Sequence, residues 1–145
     1  MSQSFLARKA SKWMAKGDDF FYKGSFKEAI IYYDKALELF PRDIDLLNQK
    51  GLAFSALGMK ENAIECFNKV IGLSPNKSIA WNNKGAALGG LGKYDEAIQA
   101  LNKAIELDPQ LADAWDNKGH ALKLLGRTAE ADAAFARARE LGYAG

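Results

Sequence analysis

The sequence predicts an all-α fold built from four copies of one helix pair. Its residues repeat every 34 positions without an insertion, most clearly in one glycine column: Gly17, Gly51, Gly85 and Gly119. Apolar residues within each copy are spaced three or four apart, which is the spacing of one helix face. A second glycine divides each copy into two such segments. A fixed period of this length is typical of proteins made of stacked helical units.

The third copy contains both helices and the signals that bound them. Helical spacing predicts a first helix over 79–90 and a second over 94–107. Gly92, in the turn between them, can adopt the positive φ that ends many helices. Pro109 ends the second helix, because proline has no N–H to donate and disfavours helix in the residue before it. Such short turns make consecutive helices antiparallel neighbours.

We place the whole chain in one domain, 1–145, with a helical extension at 1–9. The four repeats then occupy 10–43, 44–77, 78–111 and 112–145. In the last helix, Asp132 and Arg139 stand where the other copies carry aliphatic residues. A stack needs a polar end, because each unit buries its face only against the next one. We therefore predict that the last helix caps the stack and that the array ends there.

Small residues face each other across each predicted helix pair. Gly85 lies in the first helix of the third copy, and Ala97 lies in the second. Glycine inside a helix costs about 0.5 to 1 kcal/mol relative to alanine, so its recurrence at one repeat position needs a steric reason. We predict that the two helices approach so closely at Gly85 that a methyl group would clash.

The composition is that of a folded protein with little net charge. Hydrophobic residues make up 48% and charged residues 26% of the chain, and the net charge is +2. A charge this small gives no reason to expect binding to nucleic acid or to an anionic membrane. No apolar run approaches the ~20 residues of a membrane span, and the N-terminal residues lack a signal-peptide core. The single cysteine, Cys66, permits no internal disulfide. We expect a cytoplasmic protein without a cofactor or metal.

Several of these columns together resemble the tetratricopeptide repeat. The third copy carries Trp81, Gly85, Tyr94, Ala97 and Pro109 in the order and spacing of that family's signature. The resemblance covers all four copies. It implies a right-handed α-α superhelix, a solenoid in which the first helices of the repeats (A helices) line a concave groove. The second helices (B helices) form the back. It also implies non-catalytic binding of a protein or peptide, as a scaffold or adaptor.

The resemblance also indicates which residues line the groove. Carried over position by position, it selects polar pairs on the A helices together with a small residue and a histidine. The predicted peptide-binding residues in this set are Asn48, Gln49, Asn82, Asn83, Ala86, Asp116, Asn117 and His120. An amide side chain both donates and accepts, so it can pair with the backbone of an extended peptide of any sequence. The alternative is that these are ordinary polar residues facing solvent.

The first copy is rich in aromatic residues, and Phe21 and Tyr22 fall near the groove end of its A helix. One interpretation is that they form an aromatic wall of the groove. The other is that these rings are covered, either by the N-terminal segment through Phe5 and Leu6 or by a second molecule. The aromatic end also supports an alternative function, a self-associating structural module that forms homo-oligomers.

The charges at groove positions favour a neutral or basic ligand. Four acids fall on these positions, Asp18, Asp45, Asp113 and Asp116, against one full cation, Lys123. Because opposite charges steer association, we expect the partner to present a neutral or basic peptide segment.

Family members that grip a C-terminal carboxylate place basic residues at set groove positions. Here those positions hold Met14, Ile79 and Asn83 in one frame, and Asn48, Asp113 and Asn117 in the other. None of these residues is a cation. We therefore do not predict a clamp for an acidic, carboxylate-ended tail.

No pattern in the sequence predicts catalysis. His120 follows Asp116 by one helical turn, and a base beside a carboxylate can in principle do acid–base work. However, no nucleophile recurs in the repeats, and the sequence has no second histidine for a metal site. We therefore predict that the protein is not an enzyme.

One column of the repeats departs from the family. Lysine stands where an apolar residue is usual, at Lys16, Lys50, Lys84 and Lys118. We expect the methylene stems to pack and the ammonium groups to reach water. The alternative is a row of cations that contacts the ligand.

Overall fold

The computed structural model describes residues 2–145, and every regular element in this range is an α-helix. The helices are α1 (Gln3–Tyr22), α2 (Phe26–Leu39), α3 (Ile44–Ala56), α4 (Lys60–Leu73), α5 (Ser78–Gly90), α6 (Tyr94–Leu107), α7 (Ala112–Leu124) and α8 (Thr128–Glu140). The predicted all-α fold is confirmed. The helix bounds predicted for the third copy are also confirmed to within one residue, by α5 and α6.

Consecutive helices pack in pairs that form antiparallel hairpins, α1–α2, α3–α4, α5–α6 and α7–α8. The hairpins group into two compact units, one up to Leu73 and the other from Ser74 onward. In the first unit α3 also packs on α2, and in the second α7 packs on both α6 and α5. The largest fully buried side chains are Tyr33, Leu46 and Phe67 in the first unit and Leu101 and Leu122 in the second. The repeat boundaries and the single domain over 1–145 stay predictions.

The turn inside each hairpin contains a glycine in the left-handed backbone region. Gly92 has a φ of 79°, and its N–H donates to the Gly89 carbonyl at 3.0 Å. The Lys93 N–H donates to the Leu88 carbonyl at 3.0 Å, which closes the end of α5. This positive φ confirms the predicted role of Gly92. Residues with a Cβ rarely adopt it. The same conformation recurs in the other hairpins, at Gly24, Gly58 and Gly126.

The two helices of each hairpin lie close together at the glycine that recurs every 34 residues in the A helices. A Cβ built on Gly85 would lie 2.6 Å from Cγ of Leu101 and 3.2 Å from the carbonyl oxygen of Ala97. Contacts this short would force side chains or backbone to shift. The predicted clash at Gly85 is therefore confirmed. In the other hairpins the equivalent glycine faces the ring of Tyr33, Phe67 or Phe135.

Tryptophan side chains hold the A helices of the second unit to the loops before them. Trp81 Nε1 donates to the Pro75 carbonyl at 2.9 Å, and Trp115 Nε1 donates to the Pro109 carbonyl at 2.9 Å. These carbonyls follow the end of a B helix and have no helical donor, so the indole supplies one. Each of these hydrogen bonds fixes the start of an A helix relative to the preceding loop.

Helix α1 begins at Gln3 and runs without a break to Tyr22. Phe5 and Phe21 lie on this one helix, separated by about 24 Å along its axis at 1.5 Å per residue. The N-terminal segment therefore cannot fold back over Phe21 and Tyr22. The interpretation in which Phe5 and Leu6 cover these rings is wrong, because all four residues belong to one continuous helix.

The charged residues that replace aliphatic ones in α8 lie at the surface. Asp132 and Arg139 are both exposed, whereas Ile98, which matches Asp132 one repeat earlier, is buried. The change from apolar to charged side chains thus follows the change in exposure. That α8 caps a stack stays a prediction.

Candidate peptide-binding groove

Each A helix of the second unit presents one face without a buried residue. On α5 this face consists of Ile79, Asn83, Ala86 and Gly90, and on α7 of Asp113, Asn117, His120 and Leu124. The spacing of three or four residues places each set on one side of its helix. Helices α5 and α7 contact each other directly. We call these two sets together the open stripe.

The open stripe combines apolar and polar side chains. Ile79 is 56% exposed and Leu124 is 64% exposed, which are large values for aliphatic residues. Asn117 and His120, on α7, offer hydrogen-bond donors and acceptors. A surface of this kind can bury an apolar side chain of a ligand and also pair with its backbone.

The A helices of the first unit carry equivalent faces. On α1 the face consists of Ser11, Ala15, Asp18 and Tyr22, and on α3 of Asp45, Gln49, Leu52 and Ala56. None of these residues is buried. Tyr22 is the most exposed large hydrophobic residue in this set, at 80%.

The polar pairs predicted for the groove are divided between two environments. Asn82 is 7% exposed, and its Oδ1 accepts a hydrogen bond from Asn117 Nδ2 at 3.0 Å. Asp116, at the same repeat position as Asn82, is 8% exposed. Asn83 and Asn117 are half-buried and lie on the open stripe. Asn82 and Asp116, the first residues of their pairs, are therefore buried, and Asn83 and Asn117 face the open stripe.

The amides of the second repeat are also engaged within the protein. Asn48 is half-buried, and like Asn83 it has an interaction partner. Gln49 Nε2 lies 3.5 Å from Asp18 Oδ1, a long contact that links α3 to α1. Contact of these residues with a ligand stays a prediction.

Asp18 is held by a buried phenol. The Tyr33 hydroxyl of α2 donates to Asp18 Oδ1, and Tyr33 is completely buried. Burial first, and then the hydrogen bond to the Asp18 carboxylate, raise the pKa of Tyr33 well above its usual range. The Asp18 carboxylate is thus committed to the fold, and its charge is only partly available to a ligand.

Asp116, on α7 of the second unit, is similarly engaged within the protein. His120 Nε2 lies 3.3 Å from Asp116 Oδ2, and the His120 ring meets the edge of Phe135 at 4.9 Å. A hydrogen bond from the Tyr143 hydroxyl to Asp116 raises the pKa of Tyr143. Of the four predicted groove acids, Asp45 and Asp113 are the exposed ones. The carboxylates of Asp18 and Asp116 are therefore less available to a ligand than the sequence indicated.

Sequence reasoning missed the part that Tyr143 plays at this end of the molecule. Tyr143 follows α8 and stands at the repeat position that holds proline in the other copies, Pro41, Pro75 and Pro109. Gly142, with a φ of 95°, reverses the chain, and the Tyr143 N–H then donates to the Ala138 carbonyl at 2.9 Å. The sequence Leu141-Gly142 matches the Leu-Gly turns after the A helices, and this is the signal that was available.

Of the two rings predicted to form an aromatic wall, Phe21 and Tyr22, only Tyr22 is exposed. Phe21 is half-buried and packs edge-on against Phe26 at 5.2 Å and Tyr22 at 5.4 Å. Tyr22 points largely into solvent. The Phe21 ring therefore packs against both Tyr22 and Phe26 within the first hairpin.

The lysine column lies over aromatic rings and away from the open stripe. Lys84 Nζ is 5.6 Å from the ring centre of Trp81, and Lys118 Nζ is 5.6 Å from that of Trp115. In the first unit, Lys50 Nζ forms an ion pair with Asp34 at 2.7 Å. An ammonium group over a ring face is attracted by the quadrupole of the ring. This geometry explains why lysine replaces an apolar residue, since its stem packs and its charge has a partner.

The structure provides no candidate metal centre. Within residues 2–145, no group of three His, Cys, Asp or Glu side chains is arranged to hold a metal ion. Cys66 is buried, and burial raises the pKa of its thiol, which keeps it protonated. In the same range, no helix has the length and apolar character to cross a membrane.

Comparison with family models identifies the repeats. Tetratricopeptide repeat models match residues 44–77, 78–111 and 100–133, and a TPR repeat model matches residues 17–58. The chain belongs to the tetratricopeptide repeat family. The matches at 44–77 and 78–111 coincide with the second and third tetratricopeptide repeats placed from the sequence.

Solved structures share the tetratricopeptide fold over most of this chain. A crystal structure of MamA is 24% identical, with a TM-score of 0.83 over 91% of this chain and 77% of that one. MamA 41-end from Desulfovibrio magneticus RS-1 is 28% identical, with a TM-score of 0.84 over 92% and 76% of the two chains.

A third similar structure contains a peptide. The first TPR of Spaghetti (RPAP3), bound to the HSP90 peptide SRMEEVD, is 26% identical, with a TM-score of 0.78 over 82% of this chain and 94% of that one. Comparison with curated proteins gave no match.

Proposed function

We propose that this protein is a non-catalytic scaffold that binds an extended peptide along the A helices. The observation that carries the proposal is the open stripe, on which two contacting helices present eight residues and bury none. Between these positions, the other residues of α5 and α7 are buried or half-buried, with the exception of Lys123. A face that a helix leaves unburied, with exposed aliphatic residues, is a typical protein-binding surface.

The composition of the open stripe defines the ligand that would fit. Exposed Ile79 and Leu124 favour apolar side chains on the ligand, since complete burial of such a residue stabilises by about 1.5 to 3 kcal/mol. Asn117 and His120 favour pairing with an extended backbone. The exposed carboxylate of Asp113 favours a neutral or basic segment over an acidic one.

The Spaghetti TPR structure supports peptide binding by this fold, with a different ligand chemistry. Its peptide, SRMEEVD, ends in acidic residues. The present chain carries no lysine or arginine on the open stripe. An acidic tail would therefore lack cationic partners there, and we expect such a peptide to bind weakly.

A matched pair of substitutions tests the proposal. Peptides are first selected from a displayed random library against the whole chain. Ala86→Gln places a longer side chain on the open stripe, and Ala129→Gln makes the same change at an exposed alanine of α8. We expect Ala86→Gln to weaken binding of the selected peptides about tenfold, because its side chain occupies ligand space, and Ala129→Gln to leave it unchanged. Equal affinities of the two variants, measured by calorimetry, would contradict the proposal.

Self-association through the aromatic end is the second candidate function. Phe5 is 44% exposed and Ile31 is 55% exposed, which favours it. Against it, Trp13, Phe20 and Tyr32 stack on one another within the first hairpin. Light scattering over a wide concentration range tests it. A constant monomer mass would leave the scaffold proposal intact and remove this alternative.

A further inference from the structure

The hairpin α7–α8 has a cleft on a different face from the open stripe. The cleft has a volume of about 230 Å³ and is lined by Trp115, Lys118, Leu122, Glu130, Ala133 and Ala134. At 3.6 residues per turn, the residues of α7 that line it lie roughly 160° around the helix from the open stripe. A ligand in this cleft would therefore not occupy the groove.

The first hairpin fills the equivalent place with its own side chain. Three repeats before Ala134 the chain has Tyr32, and its ring stacks against Trp13 at 5.7 Å and Phe20 at 5.4 Å. Lys16 Nζ lies 4.8 Å from the centre of the Tyr32 ring. Trp13, Lys16 and Phe20 correspond to Trp115, Lys118 and Leu122. The place of the Tyr32 ring is open in α7–α8 because alanine has no ring.

The cleft has suitable dimensions and walls for an aromatic ring. A protein cavity of about 150 Å³ is large enough to bind benzene, and this cleft is larger. Its walls include the Trp115 indole and Leu122, which is 1% exposed. Lys118 Nζ already lies over the Trp115 ring at 5.6 Å, where it can also face the π-system of a second ring.

The rim of the cleft is polar. Glu130 is exposed and forms a two-point contact with Arg127, at 2.7 and 3.1 Å. The Arg127 hydrogen bonds lower the pKa of the Glu130 carboxyl, so it is ionised and can accept a further hydrogen bond. A phenol hydroxyl at this rim could donate to Glu130 or accept from Lys118. These partners favour tyrosine over phenylalanine.

We propose that the α7–α8 cleft binds an aromatic side chain of a partner polypeptide, with tyrosine preferred, between Trp115 and Leu122 and beneath Lys118. The chain thereby has a second binding surface, separate from the groove. The first hairpin does not offer this site because Tyr32 already occupies it.

The test uses p-cresol, the side-chain analogue of tyrosine, and the indole N–H signals of the three tryptophans in a ¹⁵N-labelled chain. We expect p-cresol to move the Trp115 signal and to leave the Trp13 signal in place. Ala134→Tyr fills the cleft in the manner of the first hairpin and should weaken the Trp115 response about tenfold. Lys118→Ala should weaken it about two- to fivefold, the effect of one exposed cation–π contact.

A second variant, Tyr32→Ala, keeps the test valid if Ala134→Tyr does not fold. Tyr32→Ala should open the first hairpin, so that p-cresol now moves the Trp13 signal and raises the melting temperature of that variant. An unmoved Trp115 signal at the solubility limit of p-cresol would overturn the proposal, as would a Trp13 signal that stays unresponsive in Tyr32→Ala. Ala86→Gln should leave the p-cresol response unchanged, which separates this site from the groove.

Discussion

At the scale of single residues, polar side chains near the groove have more partners within the protein than their sequence positions indicate. Asp18 accepts from Tyr33, and Asn82 accepts from Asn117. The first of these hydrogen bonds joins α1 to α2, and the second joins α5 to α7. They make some predicted ligand contacts into parts of the fold, with consequences for stability that can be measured.

The first consequence is a pH dependence that comes from Tyr33. Its pKa is raised in the folded protein, so its contribution to stability is complete below the unfolded pKa of about 10. Above that pH the unfolded chain releases the proton while the folded chain retains it, and the free energy of unfolding falls. Tyr33→Phe keeps the ring that faces Gly17 and removes the hydroxyl.

We expect Tyr33→Phe to lose about 1.5 to 3 kcal/mol at neutral pH, because the hydrogen bond is to a charged group. Its free energy of unfolding should then fall less steeply than that of the unchanged chain between about pH 10 and 11. Urea unfolding at several pH values measures both effects. Parallel pH profiles would show that Tyr33 is not the titrating group.

The second consequence is energetic coupling between Asn82 and Asn117. Asn117→Ala leaves the buried Asn82 carbonyl without its donor, which costs about 1 to 3 kcal/mol. The double variant Asn82→Ala/Asn117→Ala should be more stable than the sum of the single changes predicts, by about 0.5 to 3 kcal/mol. Asn102→Ala, at an exposed position of α6, serves as the control. Additivity within about 0.5 kcal/mol would mean that the hydrogen bond carries no coupling.

At the scale of helices and hairpins, packing decides what each glycine does. Gly85 and Gly89 lie one turn apart on α5, but only Gly85 faces α6 closely. A Cβ on Gly85 would lie 2.6 Å from Leu101 Cγ, whereas a Cβ on Gly89 would have no atom within 4 Å.

The same substitution should therefore have opposite effects at these two glycines. We expect Gly85→Ala to destabilise by about 1 to 3 kcal/mol through overpacking. Gly89→Ala should stabilise by up to about 1 kcal/mol, because alanine is the better helix former. Thermal unfolding of both variants provides the comparison, and a melting temperature that rises for Gly85→Ala would contradict the close packing.

The helices themselves were predictable because they depend on local sequence. Apolar spacing and the Gly92 and Pro109 signals gave the bounds of α5 and α6 to within one residue. The glycine column predicted the close approach at Gly85. The tryptophan hydrogen bonds to loop carbonyls were not predicted, since they depend on the angle at which one helix follows another.

The candidate site was less predictable because it depends on which face of each helix is covered. Adjacent residues on a helix point 100° apart, and here Asn82 is buried while Asn83 lies on the open stripe. Family positions alone did not tell which one the neighbouring helix buries. Asp116 is engaged by a hydrogen bond from Tyr143, which stands where the other copies carry proline.

At the scale of the whole molecule, the proposals assign different surfaces to different ligands. The open stripe on α5 and α7 would bind an extended peptide. The α7–α8 cleft would bind a single aromatic side chain. The cleft also uses residues of the B helix α8, and the glycine contacts hold the two helices of each hairpin close together.

The most direct test of the central claim is to map a selected peptide on the chain by NMR. Backbone amide signals of the ¹⁵N-labelled protein are compared with and without the peptide. We predict that the largest shifts cluster on the open stripe, at Ala86, Gly90 and His120, with small shifts along α6 and α8. Shifts concentrated on the exposed faces of α6 and α8, with Ala86 and His120 unmoved, would contradict it.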